Sequence, residues 1–167
     1  MKDNQHLGFY YEVEQISPSG IVVARERVEN IMPNEAITHI INVCFLGGTK
    51  ATGWYIAPYT NSYTPVSTDT AATFVASANE TSDYSQTTRG LFNGVLSSDN
   101  LSVINTGNEA EFTFTVATRV AGLFITSNST KQGTSGILLS AALLTTPKQM
   151  EVDGVLRVNA GFTFASA

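Results

Sequence analysis

Few side chains in this 167-residue chain have the chemistry for catalysis, and their spacing keeps them apart. Cys44 is the one thiol nucleophile, and His39 is the base nearest to it in sequence. Both fall in a segment of helical periodicity, where five positions at 100° each leave them about 140° apart around the axis. A nucleophile and base facing in such different directions cannot share a proton. Cys44 instead joins an apolar stripe, so it reads as a buried, inert small hydrophobe with no basic group placed to activate it. His39 reads as a boundary residue beside that stripe, and His6 lies in the polar N-terminal segment.

The acids follow the same logic. Asp69, Glu80 and Asp83 sit in a polar middle segment and offer the oxygen ligands that calcium requires, but their spacing matches no calcium loop. They read as solvated loop acids. No signature marks a carboxylate pair for glycoside cleavage. The chain contains no G-x-S-x-G, Walker A or H-E-x-x-H motif and no dinucleotide fingerprint. Gly47-Gly48-Thr49-Lys50 has the composition of a phosphate loop, but no helix signal follows to present its N-terminus. It reads as a helix C-cap. The expectation is a protein that is not an enzyme, with no catalytic residue, no cofactor and no metal.

Aromatic residues gather at Phe9-Tyr10-Tyr11, Trp54, Tyr55, Tyr59 and Tyr63. Such groups serve a glycan groove by stacking, a protein interface, or an ordinary core. Trp54, Tyr55, Tyr59 and Tyr63 are the candidate protein contacts. They border or lie in a stretch, 58–90, that is rich in Thr, Ser, Tyr and Asn and poor in charge. A long polar segment of that kind can be buried between subunits at low desolvation cost.

Charged residues make up only 14% of the chain, against about 25% in a typical soluble domain. Net charge is −5, and the nine basic residues are scattered. Nucleic acid is therefore not expected as a partner, because phosphate binding runs on clustered Lys and Arg. No apolar run approaches the ~18 residues of a membrane span, and the polar N-terminus does not resemble a signal peptide. No membrane partner is expected, and synthesis in a cytoplasm is. A lone cysteine forbids an intrachain disulfide.

The elements that must position these groups are mostly strands. Residues 7–16 and 20–28 read as a hairpin turned by Ser17-Pro18-Ser19-Gly20. Ile37, Ile40, Ile41, Cys44 and Phe45 recur with helical spacing, which predicts one short amphipathic helix over 33–46 with these five facing inward. Pro33 and Gly47-Gly48 punctuate its ends. Gly53 to Ala57 reads as a strand ended by Pro58, and 58–90 as short strands or one turn of helix. Residues 109–117 alternate Phe112, Phe114 and Val116 on one face, and 119–126 form the next strand. Residues 127–136 read as a turn-rich loop. The Ala/Leu-rich run 137–144 is ambiguous, and 154–158 and 161–165 read as two short strands. The fold class that follows is mainly β: a β-sandwich or jelly-roll-like single domain, residues 1–167, with one short helix.

Three runs carry a resemblance. They are Gly53 to Arg89, with Asp69-Thr70-Ala71 and Tyr84 spaced from Arg89, then Glu111 to Leu144, with Gly122-Leu123-Phe124 and Lys131 to Leu138, and the closing segment with Leu156-Arg157-Val158. Together they resemble a recurring small virion structural protein of tailed bacteriophages, over about residues 20–165. Asp153-Gly154 departs from the Gly-Asp turn of that pattern. The resemblance implies a virion location after synthesis in the host cytoplasm, with coat protein or other virion proteins as partners. It also implies self-assembly into a homo-oligomer, a trimer or another ring. The leading expectation is a capsid decoration or cement protein that binds and stabilises neighbouring coat subunits. The alternatives are a tail, collar or fibre-attachment component, and a receptor- or glycan-binding adhesin module. The family supplies no catalytic residues to carry over.

Overall fold

A computed structural model describes residues 8–163; His6 lies outside the described residues. The protein is mainly β, with ten strands and two short helices among them. The first hairpin forms as its sequence predicts, from β1 (Gly8–Ile16) and β2 (Val22–Glu29). Gly20 turns it with φ +82°, a backbone conformation that favours glycine. Next come α1 (Asn34–Phe45), β3 (Tyr55–Tyr59) and α2 (Ala71–Ala78). Three short strands, β4 (Gly90–Leu91), β5 (Val95–Leu96) and β6 (Ser102–Ile104), precede β7 (Ala110–Thr113). The chain closes with β8 (Thr118–Thr126), β9 (Leu138–Met150) and β10 (Val155–Thr163).

The strands form two antiparallel sheets. One runs β2-β1-β10-β6-β5, with β7 also paired to β10; the other runs β4-β3-β8-β9. The main core contains Phe9, Tyr11 and Val13 of β1, Leu156 and Val158 of β10, and Ile56, Leu123 and Ile125 of the second sheet. Tyr11 and Ser140 join the sheets through this core, their hydroxyl oxygens 2.6 Å apart. Burial raises the Tyr11 pKa far above its ordinary value, so the phenol stays protonated and available to bond.

A second core lies on the other face of the second sheet. There Ala57, Tyr59, Ala121, Phe124, Leu138 and Ala141 meet Ala71, Phe74, Val75 and Ala78 of α2. The second sheet is thus covered on both faces. That explains why β8 and the start of β9 read as continuous apolar runs without alternation. A register shift between Val120 and Gly122 lets Val120 and Leu123 point into one core while Ala121 and Phe124 point into the other.

Several expectations are corrected. β3 runs through Pro58 instead of ending there. Its outer neighbour β4 pairs only with Tyr55 and Ile56, so the missing N–H of Pro58 costs no ladder bond on that side. As far as Thr163, the two short closing strands are one continuous strand, β10, paired with β1 along its length; residues 164 and 165 lie outside the described residues. Val116 is exposed, because β7 ends at Thr113 and the chain bends away after Phe114. α2 makes about two turns inside the segment expected to hold one at most. Thr70 and Thr73 cap it reciprocally, and Asn79 ends it in the left-handed region.

The largest correction concerns α1. Ile37, Ile41, Cys44 and Phe45, predicted inward, are exposed. Ala36 is fully buried instead, with Ile40 and Val43 half-buried beside it. The helix carries apolar residues on two sides, and the small side chain of Ala36 belongs to the core that β9 shares. The predicted cap holds: the Gly48 N–H donates to the Asn42 carbonyl, with Gly47 at φ +71°.

Candidate docking surface

The rotation of α1 creates the most distinctive surface of the protein. Ile37 (42% exposed), Ile41 (47%), Phe45 (79%) and its capping residue Leu46 (71%) stand in solvent. Leu91, Val95, Leu96 and Leu101, on and around β4 to β6, are exposed to a similar degree. These eight are most of the large apolar side chains exposed anywhere among the described residues. A cleft of about 380 Å³ separates another side of α1 from the chain around Phe92 and Val103. Its walls are His39, Ile40, Val43 and Cys44 of α1, Trp54, Phe92 and Val103, and its floor comes from Phe9, Leu139 and Phe162.

Local structure holds the cleft open. Trp54 accepts a backbone hydrogen bond from Phe92 (2.8 Å), which ties the chain before β3 to the chain after β4. The His39 and Trp54 rings meet edge to face, 5.7 Å between centroids. Glu35 anchors α1 from its first turn. One of its carboxylate oxygens accepts the Ala71 N–H that opens α2 and the Leu138 N–H that opens β9 (2.9 and 2.7 Å). Lys50 is exposed at the cleft rim, with no carboxylate partner among the described residues.

The outer face of the first sheet is the opposite in character. Arg25, Glu14, Arg157 and Glu111 form one ladder of ion pairs across β2, β1, β10 and β7, at 2.7 to 3.0 Å. Arg27, Glu12 and Asn159 form a second. Arg27 also stacks on Tyr10, 3.8 Å from its centroid. These charges neutralise one another within the sheet.

The four aromatic contact candidates divide. Tyr59 is fully buried, and its hydroxyl shares one proton between the carbonyls of Ala142 (2.9 Å) and Tyr63 (3.0 Å), so it is a core residue and not a contact. Burial, and then the charge of Asp69, push its pKa up. Tyr55 and Tyr63 are half-buried, and Tyr63 donates to Asp69 (2.8 Å). Trp54 lines the cleft. Cys44, expected to be buried, is an exposed free thiol at the cleft wall, because α1 presents its stripe outward.

The three loop acids also fail to form a solvated set. Asp69 (5% exposed) takes the Tyr63 hydroxyl and the Val66 N–H, and Glu80 (2%) is paired to Arg89. Asp83 is half-buried and accepts from Thr118 (3.2 Å). No three of His, Cys, Asp and Glu among the described residues come together as a metal-binding group. No described helix is long and apolar enough to cross a membrane.

Sequence reasoning missed Phe92, Val103 and the exposed side chains of β4 to β6. The apolar residues of 91–104, too many for a solvated loop, were the available signal. No family model matches the chain, and no curated protein matches it.

Proposed function

We propose that this protein is a non-enzymatic structural component of a virion, and that the cleft between α1 and β4–β6 holds a neighbouring coat subunit. The observation that carries the contact role is an open cleft lined by Ile40, Val43, Trp54, Phe92 and Val103, with Leu91, Val95, Leu96 and Leu101 exposed in the chain segments that contribute Phe92 and Val103. Soluble monomers rarely leave apolar patches beyond a few hundred Å² in water. Leu91, Val95, Leu96 and Leu101 add on the order of 400 Å² of exposed apolar surface to the cleft lining, about half of the ~800 Å² that one partner contributes to a standard interface. The unpaired Lys50 at the rim favours an apolar anchor with an acidic neighbour. The likeness of the sequence to small phage virion proteins supplies the coat subunit as partner and decoration as the role.

The test is incorporation into particles, with circular dichroism as the folding control. Leu96→Asp and Lys50→Glu change exposed positions at the cleft and should leave the domain folded while reducing incorporation at least tenfold. Normal incorporation of both folded variants would overturn the cleft as the coat contact.

A further inference from the structure

We propose that α1 pairs with α1 of a second copy of this chain about a two-fold axis near Ile41. Ile37, Ile41 and Phe45 lie at i, i+4 and i+8, one continuous ridge on the outer side of the helix. Ridges of that spacing interdigitate with their like, at crossing angles near −50°. The ridge is also symmetric in position about Ile41. A two-fold axis there sets Ile37 of one copy against Phe45 of the other and Ile41 against its own counterpart. Such an interface is isologous and closes at two subunits.

Charge selects the same occupant. The chain carries a net charge of −5, so two copies repel over most approaches. Between Glu35 and Asp69 the one charged residue is Lys50. Both flanking carboxylates are already engaged, Glu35 by two backbone N–H groups and Asp69 by Tyr63 and Val66. α1 and the segment that follows it therefore bring no free carboxylate to such a contact. The ridge offers nothing to a partner selected by charge, and a second copy needs no such handle.

Area agrees. The exposed parts of Ile37, Ile41, Phe45 and Leu46 come to on the order of 500 Å² per copy, so a pair buries roughly the 1,000 Å² that a specific interface requires, before surrounding surface is added. A helix with apolar residues on both sides is one that buries both. The inference stands apart from the coat-subunit reading, because the His39, Ile40 and Val43 side of α1 that lines the cleft lies about 150° around the axis from the ridge.

The experiment is sedimentation equilibrium of the purified full chain across the micromolar range. The expected mass is twice 17.9 kDa. Phe45→Asp and Ile41→Asp should each weaken the dimer at least tenfold with unchanged circular dichroism. Leu96→Asp and Lys50→Glu should remain dimeric, which separates this interface from the coat contact. Ile41→Cys in a Cys44→Ser background should give a covalent dimer with a short bismaleimide. A monomer throughout the range, a trimer, or a folded Phe45→Asp that stays fully dimeric would overturn the proposal.

Discussion

Arg89 and Glu80 form a two-pronged ion pair, at 2.9 and 2.5 Å, with both side chains completely removed from solvent. The remaining donors of Arg89 reach the carbonyls of Asn128 and Gly133, and Glu80 also accepts the Gln132 N–H. Lys131 closes the same junction by donating to the carbonyls of Ser82 and Tyr84. The pair therefore locks the chain after α2 to the loop between β8 and β9. Burying two charges is tolerable here because they face each other at two points and further hydrogen bonds satisfy most of what remains.

Arg89→Met should cost about 3–5 kcal/mol in urea unfolding, because it leaves the buried Glu80 carboxylate without its counter-charge. The double variant Glu80→Met/Arg89→Met should recover a large part of that loss, since it leaves no unpaired charge. A double variant as unstable as the single one would show that the pair contributes through packing rather than through charge satisfaction.

Glu26 clips β2 to β9. Its carboxylate accepts the Thr145 N–H and the Lys148 ammonium, each at 2.5 Å. Burial works to raise its pKa, but the bonds from Lys148 and Thr145 outweigh it and hold the pKa below the ordinary value. A depressed folded-state pKa means that the unfolded chain binds the proton first. The stabilisation is present above the unfolded value, about 4.3, and is lost as pH falls through the folded one. Glu26→Gln should be less stable than the parent by about 1.5–3 kcal/mol at pH 7. Denaturant titrations from pH 7 to pH 3 should show the gap narrowing below the ordinary glutamate pKa. A gap that stays constant across that window would refute the linkage.

Gly122 lies beneath the Tyr59 ring. A Cβ there would stand 2.2 Å from the ring and 2.3 Å from the Ala142 carbonyl oxygen. Gly122→Ala should cost about 1–3 kcal/mol or more, as overpacking of a dense core does. Adding Tyr59→Ala should not rescue it, because the backbone carbonyl remains in the way. Gly8→Ala, where the space is open, should change stability by less than about 0.5 kcal/mol. Thermal or urea melts of the three variants and the parent check the order.

What the sequence determined by itself was whatever depends on neighbours a few residues apart. The hairpin of β1 and β2 follows from two apolar runs around a Pro-Ser-Gly turn, and α1 follows from a 3.6-residue period with glycines at its end. The mainly β character follows from many short runs between turn residues. The tertiary structure decided everything that depends on what stands opposite. Periodicity located the apolar residues of α1 but could not say which of its two apolar sides faces β9, since that choice turns on whether Ala36 or Ile41 fits the space there. Tyr59 looked like a contact because an aromatic side chain serves a surface and a core equally, until α2 covered it. Glu80 looked solvated because its partners, Arg89 and the 128–133 loop, approach only through the pairing of β3 with β8. Long-range partners decide burial, and burial decides whether the same side chain is a brace or a binding surface.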